Sequence, residues 1–261
     1  MNKKAIITFV VDYKSEQILD FIFSCQQVCP EADLFIYASE NFPELKRDSA
    51  IFSNVKLMQY QESIFPKIVG KLIMRSAWAA KIVAQLIQHL YHWTGRAKGL
   101  EIWLAPFLHA NLRRLIMMRE LMELFSHEQI MLLDCRDGML HANPFEKLSR
   151  NMIVTGKERI DTKETEPNRK CYEAIYSTKE LTQIENRPQL SADLIVGFRH
   201  SFEQYLRESI EEIFQNISKI VQMPEAAAAI HTRLFYKRLH GIDKRLVSQR
   251  EVIVAHTNAL S

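Results

Sequence analysis

No run of about eighteen uncharged apolar residues occurs in this sequence. Its most apolar region, from Pro66 to Trp93, is interrupted by Lys71, Arg75 and Lys81, so a membrane-spanning helix is not expected. Glycine and proline are scarce, seven and eight residues in 261, which excludes collagen-like and low-complexity character. The four cysteines, Cys25, Cys29, Cys135 and Cys171, form neither a CxxC pair nor a zinc pattern. Cys25 and Cys29 fall one helical turn apart and read as small apolar residues on one helix face. Unpaired thiols fit a reducing compartment, and Met1-Asn2-Lys3-Lys4 runs into a strand-like segment without a signal-peptide pattern, so a cytoplasmic location is expected.

What is present is ordinary globular composition, 47% hydrophobic and 25% charged, with length enough for a sizeable core. The net charge of +3 conceals an asymmetry. Residues 67–119 carry nine Lys and Arg against one acid, a net of +8, whereas residues 1–66 carry six against nine, a net of −3. The basic segment also holds Trp78, Trp93 and Trp103. It reads either as a helical hairpin with a solvated basic face or as a basic amphipathic face set against an anionic membrane, peripherally at its inner side. It offers no recognisable nucleic-acid module, so nucleic acid is not an expected partner.

Along the chain, Lys4 to Val11 and Asp33 to Ala38 read as buried strands, and Val55 to Gln59 as a weaker one. Between the first two, Ser15 opens a helix to Cys29, with Ile18, Leu19, Ile22, Phe23 and Gln26 as its apolar stripe. Strand, helix and strand in this order begin a parallel sheet. Pro66 to Trp93 reads as helical, Glu101 to Leu108 is ambiguous, and His109 to Phe125 is a helix that sets Arg113, Arg114 and Arg119 ahead of the next strand. Asn151 to Thr155 and Asp193 to Gly197 read as short strands, with Glu158 to Asn168 as an exposed loop between them. Ser201 to Gln204 forms a capping-box pattern for a helix reaching Val221, and Glu225 to Leu239 follows as an alanine-rich helix after Pro224. Glu251 to Ala255 is a last strand. The expected architecture is one α/β domain over residues 1–261 with a basic helical insertion at about 66–108.

The chain is organised around Ile130-Met131-Leu132-Leu133-Asp134-Cys135-Arg136-Asp137-Gly138. An apolar run ends in two acids three positions apart, then a glycine that permits a turn. In open α/β sheets, ligands sit in the crevice outside the carboxyl ends of the strands. Two nearby carboxylates repel unless a cation, a proton or a basic group lies between them, which suits a divalent metal on a phosphate-bearing ligand. The plainer alternative is a polar turn, Asp134 capping it and Asp137 solvated. Asp12 and His256 also follow strand-like runs. With the acidic pair, His256 makes an oxygen-plus-imidazole set suited to manganese, while alone it reads as a surface histidine near the chain end. Arg114 has the planar fork that matches phosphate oxygens.

Leu132-Leu133-Asp134-Cys135-Arg136-Asp137, followed by Asn143-Pro144-Phe145, resembles the D-x-R-D … P-F variant of the acidic metal-binding motif of GT-A-fold nucleotide-sugar glycosyltransferases. Other segments resemble that superfamily in order. The opening KAIITFVVDY is similar to its nucleotide-contacting strand, and His109 to Met122 to the helix before the acidic motif, with an arginine at the position of Arg114. Ser191 to Gly197 is similar to its acceptor-side strand, and Glu251 to His256 to the late strand whose histidine completes the metal site. The chain departs from the pattern at Gly138, at Asp193 and over Pro224 to Ala229, where the family often has Asp-Gln.

The resemblance implies a GT-A-like, Rossmann-like α/β fold with a mostly parallel central sheet flanked by helices. It also implies metal-assisted transfer of a sugar from a nucleotide-diphosphate donor to a glycan or lipid-linked acceptor, as in bacterial polysaccharide biosynthesis. Asp134, Asp137 and His256 would hold Mn2+ or Mg2+, and Asp12, Arg114 and Asp134 would face the nucleotide. Glu225 or Asp193 would be the base or nucleophile, although Glu225 also reads as a first-turn helix acid. The competing expectations are a non-catalytic relative that binds a partner or membrane through residues 67–119, and a metal-dependent phosphohydrolase or nucleotidyltransferase.

Overall fold

The structure is a computed structural model that describes residues 3–10, 15–38, 43–59, 76–95, 99–135, 139–161, 166–221, 223–248 and 252–254. Its centre is built from β1 (Lys4–Val10), β2 (Ala32–Ala38), β3 (Val55–Gln59) and β4 (Gln129–Leu133), which pair parallel. Beyond β4 come β7 (Pro188–Phe198), β6 (Met152–Asp161) and β8 (Asp243–Ser248). Among the described residues the sheet has seven strands in the order β3-β2-β1-β4-β7-β6-β8. Only β7 is reversed, antiparallel to both β4 and β6, while β6 and β8 pair parallel. The mostly parallel α/β architecture flanked by helices is therefore present.

Alternation along the strands sends side chains to two cores. Ile6, Leu34, Met131 and Val196 face α1 (Ser15–Val28). Ile7, Phe35, Leu132 and Ile195 face a helical layer made of α3 (Ala77–Thr94), α5 (Ala110–Leu124), α8 (Arg199–Ile220) and α9 (Ala226–Arg233). The latter layer also contains α6 (Glu166–Ile175) and α7 (Thr178–Leu181), whereas the short α2 (Pro43–Ser49) packs beside α1. With both faces covered, β4 is buried at all five positions, which is why it appears in the sequence as an unbroken apolar run.

Several boundaries differ from the expectations. In α1, Phe21 and Cys25 are buried and Phe23 is exposed, so Ile18, Phe21, Ile22 and Cys25 form the i, i+3, i+4, i+7 set. Glu101–Leu104 is a short helix, α4, continued by a 3-10 turn at Ala105–Phe107. Strand β6 runs on to Asp161 through residues expected as loop, because the lengthened β7 gives them a partner, Asp161 pairing with Pro188. Helix α8 begins at Arg199, so Ser201 lies inside its first turn and is no cap. Arg199 reaches back instead to the carbonyls of Met122 and Phe125, groups that the C-terminus of α5 leaves open, and to that of His127 ahead of β4.

The last strand of the main sheet is β8, which the sequence does not reveal. As an edge strand paired on one side it keeps exposed charged residues, so Asp243-Lys244-Arg245 carries no apolar run to mark it. Of the late strand expected at Glu251 to Ala255, the described residues are 252–254, and Ile253–Val254 forms β9. It pairs antiparallel with β5 (Met139–Leu140) in a separate two-stranded sheet.

Candidate functional site

Asp134 follows directly on β4 and is buried, and its backbone N–H donates to the carbonyl of Asp193 at 2.9 Å. That contact is possible because β7 runs against β4: reversal brings the amino-terminal half of β7 to the carboxyl ends of β1 and β4. Asp134 and Asp193, 59 positions apart in sequence, thus share one rim.

A bulge lifts Asp193 into place. Thr155 of β6 pairs with Ile195, yet the next residue, Gly156, pairs with Ser191. Ala192, Asp193 and Leu194 therefore have no partner on β6, and the strand swells outward around them. Two side chains stabilise the swelling. The hydroxyl of Thr155 lies 3.1 Å from Ser191 O and 3.0 Å from Leu194 O, bridging the gap from within. From α5, Arg114 Nη2 donates to Ala192 O at 2.6 Å and to Asp193 Oδ1 at 2.5 Å. Ser191 Oγ donates to the other carboxylate oxygen of Asp193 at 3.3 Å.

Arg114 also reaches Asp134, Nη1 standing 3.6 Å from Oδ2. One guanidinium is the cation between these two carboxylates, at 6% side-chain exposure, where the attraction is weakly screened. Its Nε is buried without a hydrogen-bond partner among the described residues. The Asp193 side chain is 30% exposed, so this carboxylate is held from behind and open in front.

Beneath the bulge lies a buried relay. His231 of α9 has Nε2 2.8 Å from Thr155 Oγ1 and Nδ1 2.8 Å from the Tyr205 hydroxyl of α8. Carbonyls only accept, so Thr155 donates its single proton to Ser191 or Leu194. It must then accept from His231, which places the imidazole proton on Nε2 and makes Tyr205 the donor to Nδ1. Burial first, and the Arg114 charge second, push the His231 pKa down from 6.5 to about 3, so the ring is neutral. The Tyr205 phenol is pushed up, chiefly by burial.

No family model matches this chain, and no curated protein matches it. Among solved structures it is similar to the galactosyltransferase LgtC, determined in complex with donor and acceptor sugar analogs. Sequence identity is 10%, the similarity covers 87% of this chain and 69% of the other, and the TM-score is 0.48.

Of the residues singled out from sequence, the structure brings together Arg114, Asp134 and Asp193. Glu225 stands at the start of α9, its carboxylate near enough to Cys171 of α6 to raise that thiol's pKa, after burial, to about 11. It makes no side-chain cap bond at that helix start. Asp12, Asp137 and His256 lie outside the described residues. Thr155, Ser191, Tyr205 and His231 are not anticipated from sequence. The one signal available was His231 itself, an imidazole in the alanine-rich stretch Ala226-Ala227-Ala228-Ala229-Ile230-His231.

Proposed function

We propose that this chain transfers a sugar from a nucleotide-diphosphate donor to a glycan or lipid-linked acceptor, assisted by Mn2+ or Mg2+. The observation that carries the reading is the convergence of Arg114, Asp134 and Asp193, from a helix and two oppositely running strands, at the carboxyl ends of the parallel strands. That is where an α/β sheet binds ligands. The ordered resemblance to the GT-A superfamily supplies the reaction class.

The metal set is Asp134, Asp137 and His256. Among the described residues no group of three His, Cys, Asp or Glu could hold a metal ion. Support for the set is topological: β5 and β9 pair Met139 with Val254, and Asp137 and His256 each lie two residues from that pair in the chain. Carboxylate oxygens with an imidazole are donors that suit Mn2+. When bound, such an ion would neutralise charge on the leaving diphosphate as a Lewis acid.

The chain's own residues do the remainder. Arg114 sets the spacing of Asp134 and Asp193 and offsets part of their charge below the diphosphate, with Asp12 toward the nucleotide. Asp193, anchored on one side and open on the other, presents a carboxylate oxygen to the bound sugar as base or nucleophile. Glu225 is the second candidate for that role.

The test is a thermal shift with UDP, GDP and CDP, each with and without Mn2+, on wild type and on Asp137→Ala. A ligand at about a hundred times its Kd adds roughly 2.7 kcal/mol, a rise on the order of 5–10 °C for a domain of this size. One nucleotide giving a manganese-dependent rise that Asp137→Ala abolishes is the expected result. No rise with any nucleotide, or an equal rise in the variant, overturns the reading. Release of phosphate without sugar transfer would assign the same acids to a hydrolase.

A further inference from the structure

Helix α3 has two apolar faces and one fold to bury them in. Ala80, Ala84 and Ile87 are buried in the helical layer, and Tyr91 stacks on Phe214 of α8 with ring centroids 4.7 Å apart. The opposite side carries Trp78, Ile82, Leu86, Leu90 and Trp93, successive steps of four, four, four and three residues that align on one face. All five are exposed, Leu86 at 58% and the terminal tryptophans at 75% and 86%. Single exposed apolar residues are common, but a contiguous stripe about 22 Å long, with tryptophan at both ends, marks an interaction surface.

Charge indicates what covers it. Lys81, Gln85, His89 and His92 run exposed along one edge of the stripe, and α3 contains no aspartate or glutamate. The sequence adds Lys67, Lys71 and Arg75 before the helix and Arg96 and Lys98 after it. A second copy laid antiparallel on the stripe would bring the two Lys81–His92 edges to the same side and offer Lys81 no carboxylate from the facing helix. An anionic headgroup surface offers opposite charge to Lys81 on this edge and to the basic residues that flank the helix in sequence. Tryptophan is favoured at that boundary because its ring is apolar and its N–H polar. Among the described residues no helix is long and apolar enough to cross a membrane, so the geometry is that of a helix lying in the interface plane.

We infer that α3 docks this chain onto an anionic lipid bilayer, with the Trp78–Trp93 stripe buried at the headgroup boundary and Lys81, His89 and His92 facing the headgroups. The inference goes beyond the transfer reading and does not depend on it, since none of these residues belongs to the Arg114 site.

The experiment is co-sedimentation of the full chain with vesicles of phosphatidylcholine alone and of phosphatidylcholine containing phosphatidylglycerol. Binding is expected to the anionic vesicles and to weaken as salt rises, because charge attraction is screened. Trp78→Ser with Trp93→Ser should reduce it at least roughly tenfold, as should Leu86→Glu, while Phe23→Ser, an exposed aromatic on α1, leaves it unchanged. Thermal midpoints of the α3 variants should stay at the wild-type value, because the replaced side chains are exposed. Absence of binding to anionic vesicles overturns the inference, as does binding indifferent to the double substitution. A concentration-dependent dimer in sedimentation velocity that Leu86→Glu abolishes would assign the stripe to a second copy and equally overturn it.

Discussion

Arg114 is where folding and chemistry meet in one side chain. It sits on the buried face of α5 beside Leu115, Ile116 and Met118, a costly place for a charge unless it is paired. Asp134, Asp193 and the Ala192 carbonyl supply the pairing. Arg114→Ala would leave one well-buried carboxylate and one half-buried carboxylate without their cation. The expected loss is about 3 kcal/mol in urea denaturation, at the lower end for a broken buried pair because Asp193 is partly solvated. Asp193→Asn keeps the shape and should cost far less stability while abolishing transfer. Equal stability losses in the two variants would refute this division.

His231 makes a pH prediction of definite sign. Its folded pKa of about 3 lies below the ordinary 6.5, so the unfolded chain takes up a proton first as pH falls. Stability from this residue is complete above pH 6.5 and declines toward pH 3, at up to about 1.4 kcal/mol per pH unit. Denaturation at about pH 5.5 should give a stability about 1.4 kcal/mol lower than at about pH 7.5, by the same linkage relation. In His231→Gln that difference should largely vanish.

At the scale of elements, the β7 bulge is the device that matters. Without it, Asp193 would be an ordinary ladder residue between β4 and β6. Thr155 bridges the bulge with a hydroxyl that touches both Ser191 and Leu194 carbonyls, and it accepts from His231. Thr155→Val is nearly isosteric but removes the hydroxyl's one donated hydrogen bond to the bulge and the acceptor of the imidazole N–H in a dry interior. The expected cost is about 1–3 kcal/mol. Transfer should fall more than stability alone explains, because Asp193 loses its support. Thr155→Ser should restore most of both. Activity in Thr155→Val that merely tracks its folded fraction would show that the bulge does not position Asp193.

At the scale of the whole molecule, the helical layer is tied by ions that no local pattern announces. Glu212 of α8 is fully buried and accepts from Arg233 Nη1 at 2.6 Å and Arg238 Nη1 at 2.9 Å, while Arg233 Nε donates to Glu180 of α7 at 2.8 Å. One network joins α7, α8, α9 and the π-turn Leu234–Arg238 that ends α9. The Arg233 hydrogen bond holds the Glu180 carboxyl below its usual range. Glu212→Ala removes the buried carboxylate that Arg233 and Arg238 share, but leaves Arg233 its Glu180 and Arg238 its Glu208, 3.2 Å away, so it should destabilise the chain by about 1–3 kcal/mol, read from the denaturation midpoint. A shift within about 0.5 kcal/mol, typical of surface substitutions, would mean the network contributes little.

The sequence alone determined those parts of this protein whose signal is local. β1, β2 and β4 are buried on both faces and so appear as apolar runs. α5 announces itself by its apolar spacing; that the ring of His109 caps it is seen only in the structure. The end of β4 marks Asp134 as a rim residue, because a parallel strand leads to a ligand crevice. Only the tertiary structure decided that Asp193 joins it, since that requires β7 to run backwards and bulge by three residues against β6. Likewise Thr155, Tyr205 and His231 lie on a strand and two helices, each unremarkable in its own segment. β8 was hidden because an edge strand need not be apolar, and the Glu212 network because charges distant in sequence carry no mark of their partner. Periodicity and apolar runs report how a residue meets solvent; which residue it meets is set by strand order and direction, and those exist only once the chain has closed.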